Sequence, residues 1–205
     1  MAEIECFFDC SSPWTYLAFH NLPAVARAFA AEIAWRPILV GGVFNAINPT
    51  VHAARDHLVP AKQAYMQKDL QDWARAAGLR IIYPPTVFPV NSVKAMRGCL
   101  ALEPEGKLVA FARAVFEAYW GGDQDISRPE VLAAICRQVA VDPDHLLAAV
   151  EAPTIKDRLR ANTQELMDRG GFGSPTIFVG GEDMYFGNDR LGLVRAALLR
   201  RRAGR

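Results

Sequence analysis

The 205-residue sequence lacks the paired cysteines of a dithiol redox centre or of a zinc site. Its four cysteines, Cys6, Cys10, Cys99 and Cys136, include no C-x-x-C pair, so neither kind of site is supported. We expect each cysteine to be a small buried hydrophobic residue. No metal site is predicted.

Long apolar runs, a leader sequence and an excess of charge are also missing. No stretch approaches the ~20 apolar residues that span a bilayer, and Met1-Ala2-Glu3 runs directly into a strand-like segment without the pattern of a signal peptide. The formal net charge is +1, which gives no indication of a nucleic-acid surface. We therefore expect a cytoplasmic protein with no membrane or nucleic-acid partner.

Several catalytic signatures are absent as well. The sequence contains no H-E-x-x-H, P-loop, G-x-G-x-x-G or G-x-S-x-G motif. These would indicate a zinc protease, a phosphate-binding loop, a dinucleotide site and a hydrolase nucleophile, respectively. A hydrolase interpretation therefore lacks its nucleophile signature.

The elements that the sequence does predict follow the order βαβ, helices, ββα. Residues 3–9 and 32–39 are β-prone and enclose a helical pattern, which is typical of two parallel strands with a right-handed crossover. Residues from about 57 to 169 carry helical periodicity. A hairpin is predicted over 176–186, and a last helix begins near Asp189. The sequence thus predicts a discontinuous α/β domain, residues 1–41 and 171–205, interrupted by a helical insertion at 42–170.

Within the insertion, spacing and capping signals give more local predictions. Met66, Leu70 and Trp73 share one helical stripe and are interpreted as core residues. The segment Ser127–Glu130 has the pattern of a capping box, and Asp142 precedes a proline in the manner of an N-cap.

The first candidate site is the turn Ser11-Ser12-Pro13, between the first strand and the first helix. Ligands of open α/β sheets bind at the carboxyl ends of strands, and the free N–H groups of a helix N-terminus favour an anion. The alternative is that Ser11 or Ser12 only caps the helix.

The second candidate is Gly173-Ser174-Pro175-Thr176, where a proline stands at the start of a strand. A proline there indicates an edge, a bulge or a cis turn. A cis bond would leave the backbone N–H and C=O of Ser174 free to pair with an extended, peptide-like ligand. A plain loop proline is the alternative.

The third candidate is Gly187-Asn188-Asp189-Arg190, at the start of the last helix. Asn188 or Asp189 can cap that helix. Their amide and carboxylate groups can equally hold the charged groups of a ligand.

The order of these pieces is the thioredoxin arrangement. The pieces that carry a closer likeness are Phe7-Phe8-Asp9-Cys10-Ser11-Ser12-Pro13, Tyr16-Leu17-Ala18, Lys62, Asp69–Ala74, Phe88-Pro89, Asn91-Ser92, Phe116–Trp120, Gly171–Thr176 and Gly187–Leu191. With a helical insertion between the two halves, the chain is similar to the DsbA-like branch. Within that branch it closely resembles the 2-hydroxychromene-2-carboxylate isomerase family and the related kappa class of glutathione transferases.

The resemblance implies a thioredoxin-like fold that binds glutathione as cofactor. It implies that Ser12 is the catalytic serine, and that Ser174, which precedes Pro175, pairs through its backbone with the cysteinyl part of glutathione. The family's contacts to the γ-glutamyl end fall on Asn188 and Asp189.

Lys62 matches a lysine that lines the family's site, where it could hold a substrate carboxylate; the alternative is a solvated helix lysine. The implied reaction is a glutathione-dependent isomerisation of 2-hydroxychromene-2-carboxylate, or of a related small aromatic carboxylate of aromatic catabolism, by a homodimer. The alternatives are a kappa-like transferase that consumes glutathione and a non-catalytic thioredoxin-fold binding protein. Ser12 and Thr15 stand where a disulfide oxidoreductase has cysteines, which argues against redox exchange.

Overall fold

The computed structural model describes residues 3–51 and 59–204, and it contains one four-stranded sheet in the order β2-β1-β3-β4. The strands are β1 (Ile4–Phe8), β2 (Ile33–Pro37), β3 (Thr176–Val179) and β4 (Asp183–Phe186). β1 pairs in parallel with β2 and antiparallel with β3, and β3 pairs antiparallel with β4. The thioredoxin-like fold class predicted from the sequence is confirmed.

Nine α-helices surround this sheet in the described part of the chain. They are α1 (Pro13–Ala28), α2 (Val40–Ile47), α3 (Pro60–Ala76), α4 (Val93–Leu102), α5 (Leu108–Phe116), α6 (Pro129–Gln138), α7 (Pro143–Ala149), α8 (Pro153–Asp168) and α9 (Leu191–Ala203). A π-helical turn at Glu117–Gly121 extends α5, and a short 3₁₀ turn at Asn188–Arg190 precedes α9. None of the described helices is long and apolar enough to cross a bilayer.

The sheet and the helices share most of one hydrophobic core. Ile4, Phe8, Phe116 and Leu132 are all fully buried in the same cluster, although they come from β1, α5 and α6. All four cysteines are buried, as predicted. The strands lie at 4–37 and 176–186, outside the segment assigned to the insertion. The domain division stays a prediction.

Two local predictions are wrong and one is confirmed. The Ser127–Glu130 capping box does not form, because α6 has Arg128 as its N-cap without a side-chain hydrogen bond, while the Ser127 hydroxyl donates to Asp125. Trp73 remains 36% exposed, so it is not a core residue. The predicted Asp142 cap of α7 is confirmed by its acceptance of the Asp144 N–H.

The start of the last helix also differs from the prediction. Neither Asn188 nor Asp189 caps α9, whose N-cap residue is Arg190 and has no side-chain hydrogen bond. The intervening 3₁₀ turn moves both residues ahead of the α-helix, so their side chains are not at the capping position.

Candidate active site

A cavity of about 620 Å³ opens where β1 ends and α1 begins. Its described walls are formed by the turn before α1 with the start of α1, the connection from β2 into α2, part of α3 and the loop before α4. Two residues of the second half of the fold also contribute. The lining includes residues 11–14, 39–42, 88–93, Ser174 and Phe186. The first two sequence candidates therefore meet in one cavity.

Ser12 is the N-cap of α1 and stands in the wall of the cavity. Its Oγ accepts the Thr15 N–H at 3.2 Å and donates to the Ser174 carbonyl oxygen at 3.2 Å. Capping and ligand contact are therefore compatible roles, because a hydroxyl oxygen accepts two hydrogen bonds while its proton can turn to another acceptor.

Ser174 joins the two halves of the site. The Ser174–Pro175 peptide bond is cis, as one of the sequence alternatives required. The Ser174 Oγ accepts the Asp9 N–H at 3.0 Å and lies 2.8 Å from the Thr15 Oγ1. Both hydroxyl groups are buried, so Thr15 belongs to a buried hydrogen-bonded pair.

Asp9, the last residue before the turn, is an almost fully buried acid in the cavity wall. Its carboxylate accepts the Ser11 N–H at 2.9 Å and the Val40 N–H at 2.8 Å. Burial raises the pKa of this carboxyl, although those two N–H groups and the hydroxyls of Ser92 and Ser11 act in the opposite direction. The carboxylate thus connects the turn to the start of α2.

The helical region holds the backbone of Cys10. The Cys10 N–H donates to the Met96 sulfur at 3.3 Å, and its carbonyl accepts the Trp120 Nε1–H at 2.9 Å. Burial, the contact with Cys99 and the charge of Asp9 raise the pKa of the Cys10 thiol well above its usual range. A neutral, buried thiol fits the expectation that Cys10 is an inert core residue.

The rest of the cavity wall is strongly aromatic. Trp14, Phe44, Tyr83, Phe88 and Phe186 all line it. Aromatic walls with a few polar groups at one end suit a flat, partly apolar ligand.

One of these rings requires a glycine beside it. A Cβ at Gly173 would lie 2.7 Å from the Phe186 ring, and the same ring packs on Phe172 with a centroid distance of 4.6 Å. Glycine at 173 therefore lets Phe186 lie close to the backbone that leads into Ser174.

The remaining predicted site residues lie outside the cavity wall as described. Lys62 is exposed in the first turn of α3, four residues before Met66, which does line the cavity; this spacing puts the two on one helix face. Asn188 is buried and accepts the Asn21 Nδ2–H at 3.2 Å, while its own Nδ2 has no hydrogen-bond partner among the described residues. Asp189 forms an ion pair with Arg190.

The sequence and the fold are both similar to those of known proteins. The DsbA-like thioredoxin domain family matches residues 3–199. The chain is 31% identical to the 2-hydroxychromene-2-carboxylate isomerase of Sphingobium xenophagum over 96% of this chain and 97% of that protein. The chain belongs to the DsbA-like thioredoxin domain family and, within it, to the family of the 2-hydroxychromene-2-carboxylate isomerases. Like these relatives, it is an enzyme of the DsbA-like thioredoxin fold.

Two further relatives agree with this family. A solved structure of a 2-hydroxychromene-2-carboxylate isomerase superposes with a TM-score of 0.81 at 26% identity, covering 96% of this chain and 94% of that one. Human glutathione S-transferase kappa 1 is 26% identical over 93% of this chain and 88% of its own length. The recognition of this family from the sequence is confirmed.

The sequence patterns did not indicate that Asp9 lies in the wall of the site. Its signal in the sequence is a carboxylate at the end of a buried apolar strand, directly before the turn. Acids are seldom fully buried unless they are hydrogen-bonded or paired. That position alone could have marked Asp9, but its partners Val40 and Ser92 are distant in sequence.

Proposed function

We propose that the protein is a glutathione-dependent isomerase of 2-hydroxychromene-2-carboxylate or of a related aromatic carboxylate. The observation that carries the proposal is the Ser12 hydroxyl at the N-terminus of α1, inside a cavity with aromatic walls. Family membership and the name of the Sphingobium relative support the substrate class. The kappa-class relative supports the use of glutathione.

The thiolate is the reactive form of glutathione, and a free thiol with a pKa near ~8.5 is only slightly ionised at neutral pH. A hydrogen bond to a charged group contributes roughly 1.5–3 kcal/mol, which corresponds to about one to two pKa units. One hydroxyl from Ser12, aided by the helix N-terminus, therefore suffices to make the bound thiol substantially ionised.

Binding of glutathione would also free the Ser12 proton. In the structure that proton is directed to the Ser174 carbonyl. If the cysteinyl N–H of glutathione pairs with the same carbonyl, the Ser12 hydroxyl can turn and donate to the sulfur instead. Asn188 and Asp189 would then contact the γ-glutamyl end, and Lys62 the substrate carboxylate, as the resemblance implies.

In the proposed reaction the thiolate adds to the substrate, which permits ring opening and rotation about a former double bond, and then leaves unchanged. Glutathione is recovered. Because serine forms no mixed disulfide, the sulfur stays free to attack the substrate. A homodimer in the cytoplasm remains part of this proposal.

The test is the loss of the hydroxychromene absorbance with and without glutathione, together with the glutathione concentration before and after. We expect turnover that requires glutathione and leaves its concentration unchanged. Full turnover without glutathione would contradict the proposal.

Ser12→Ala tests the role of the hydroxyl. Loss of one hydrogen bond to a thiolate predicts a decrease in kcat/KM of about 10- to 150-fold. Since Ser12 also caps α1, the matched control is Asp142→Ala, which removes the cap of α7, a helix that does not line the cavity as described, and should leave kcat/KM unchanged. Equal activity of Ser12→Ala and the wild type would exclude this role.

A kappa-like transferase is the second candidate, because human glutathione S-transferase kappa 1 covers nearly the whole chain. It predicts stoichiometric consumption of glutathione with a generic electrophile. Binding to immobilised glutathione without either activity would indicate a binding protein instead.

A further inference from the structure

Asp9 is a buried acid in the cavity wall that the chemistry proposed above does not use. It is 1% exposed, and it takes part in no salt bridge within the described part of the chain. A carboxylate buried without a cation is costly, and it persists only with a full set of hydrogen-bond donors. Because Asp9 lines the same cavity as Ser12, its charge can act on a thiol bound there.

The polar groups around the Asp9 carboxylate are of two kinds. The N–H groups of Ser11 and Val40 are fixed by the backbone and can only donate. The hydroxyls of Ser11 and Ser92 lie near enough to lower the pKa of the carboxyl, and a hydroxyl can either donate or accept a hydrogen bond. If Asp9 gained a proton, one hydroxyl could turn to accept it without any movement of the backbone.

Both hydroxyl-bearing residues, Ser11 and Ser92, line the cavity as Asp9 does. They therefore stand between the cavity and the acid. Ser11 directly precedes Ser12, and the Ser12 N–H donates to the Asp9 carbonyl at 3.2 Å. A thiol held by Ser12 would be close to Ser11, whose N–H already donates to the Asp9 carboxylate.

Electrostatics make the two anions incompatible neighbours. A thiolate at Ser12 and an ionised Asp9 in the same cavity wall would repel each other, and each would disfavour the charged form of the other. Transfer of the thiol proton to Asp9 leaves the total charge of the site unchanged and moves the negative charge onto the sulfur.

We propose that Asp9 accepts the proton of the glutathione thiol through the hydroxyl of Ser11 or Ser92. The S–H bond breaks and its electron pair stays on sulfur; the serine hydroxyl passes a proton on, and an O–H bond forms on the Asp9 carboxylate. The inference rests on the proposed use of glutathione. When glutathione departs, the proton returns by the same path.

Other groups around the acid leave this assignment intact. Burial raises the pKa of the Asp9 carboxyl, which suits a proton acceptor for a thiol. Cys10 is a titratable neighbour in the described part of the chain, and burial together with Cys99 and Asp9 raises the pKa of its thiol well above the usual range, which keeps it neutral.

The experiment measures two quantities for glutathione binding at about pH 7. Ultraviolet absorbance of the thiolate gives the amount of thiolate formed. Titration calorimetry in buffers of different ionisation enthalpy gives the protons released. For the wild type we expect thiolate with almost no proton release; for Asp9→Asn we expect about one proton released per thiolate formed.

The controls are S-methylglutathione, which has no thiol proton, and Asp157→Asn, an exposed substitution on α8 that should match the wild type. Equal proton release per thiolate in the wild type and Asp9→Asn would overturn the inference. If the wild type forms no thiolate at all, the proposed function fails first and the inference with it.

A second measurement does not depend on the variant folding. Infrared difference spectra of the wild type, with and without glutathione, should show the C=O stretch of a newly protonated carboxyl group. S-methylglutathione should not produce that band. Its absence with glutathione, when thiolate has formed, would also overturn the inference.

Discussion

At the scale of single residues, the site depends on side chains that bond to one another as well as to a ligand. Ser12, Thr15 and Ser174 form a chain of hydroxyl contacts between the turn and the start of β3. Two of these residues are fully or nearly fully buried. A buried polar group left without its partner costs more than its hydrogen bond contributed.

Replacing Thr15 by valine tests this chain. The change keeps the shape of the side chain but leaves the Ser174 hydroxyl without its partner at 2.8 Å. We expect the free energy of unfolding to fall by about 1–3 kcal/mol in urea titrations. Thr15→Ser keeps the hydroxyl and should cost less, about 1 kcal/mol for the lost methyl group. If the Thr15→Val variant were as stable as the wild type, the pair of hydroxyls would contribute nothing to the free energy of unfolding.

Asp9 gives a prediction about pH in the protein without ligand. Its pKa is raised by burial, so the folded state binds the proton more tightly than the unfolded chain. Its contribution to stability is therefore fully present below the unfolded pKa of about 3.9 and is lost as pH rises through the folded pKa.

We therefore expect the free energy of unfolding of the wild type, minus that of Asp9→Asn, to decrease as pH rises above about 4. Subtraction removes the contributions of the other carboxylates, which both proteins share. Urea titrations at a series of pH values measure this difference. A difference that stayed constant, or that increased with pH, would mean that the pKa of Asp9 is not raised.

At the scale of elements, helices from the middle of the chain support the turn. The π-helical segment Glu117–Gly121 carries Trp120, whose indole N–H donates to the Cys10 carbonyl. π-Helical turns occur often at functional sites. Here the changed register directs a large buried side chain to the backbone of the active-site turn, and α4 contributes the Met96 sulfur to the same residue.

The contact between α4 and α5 depends on a glycine. A Cβ at Gly98 would lie 2.8 Å from the Phe111 ring, and Phe111 is fully buried. Although alanine favours a helix by about 1 kcal/mol, we expect overpacking to dominate in Gly98→Ala and the free energy of unfolding to fall by about 1–3 kcal/mol.

The matched control is Gly192→Ala in α9, where the added Cβ would meet no described atom within 4 Å apart from its chain neighbours and the helix's own backbone. Only helix propensity acts at that position, so urea titrations should show equal or greater stability. Stabilisation of both variants to the same extent would show that α4 and α5 are not closely packed at Gly98.

At the scale of the whole molecule, Arg169 joins segments that are far apart in the chain. It follows α8 and donates to both oxygens of Glu5 in β1 and to the Gly181 carbonyl in the hairpin turn. Its guanidinium also lies 3.9 Å from the centre of the Phe178 ring. A planar group with five donors can make all these contacts at once.

Arg169→Lys keeps the charge but loses the paired contacts with Glu5 and the stacking on Phe178. We expect the free energy of unfolding to fall by about 1–3 kcal/mol in urea titrations. Arg160→Lys, an exposed position that pairs only with Asp157 in the described structure, should change it by less than about 0.5 kcal/mol. Equal effects at the two positions would argue against a structural role for Arg169.

The sequence by itself determined the order of strands and helices, the position of the Ser12 turn, the buried cysteines and the family. These features depend on local periodicity, on proline and glycine positions and on motif order, all of which are local or ordered along the chain. The capping predictions at Ser127 and Asn188 were wrong because neighbouring side chains and a 3₁₀ turn compete with the local signal.

Only the tertiary structure decided which polar groups meet. It brought Ser12 to the Ser174 carbonyl, across 162 residues of sequence, and Asp9 to the Val40 N–H. It also placed Trp120 on the Cys10 carbonyl. Buried polar groups need hydrogen-bond partners, and the tertiary fold determines which groups come close enough to serve as partners. Because these partners are distant in sequence, no local spacing predicts them.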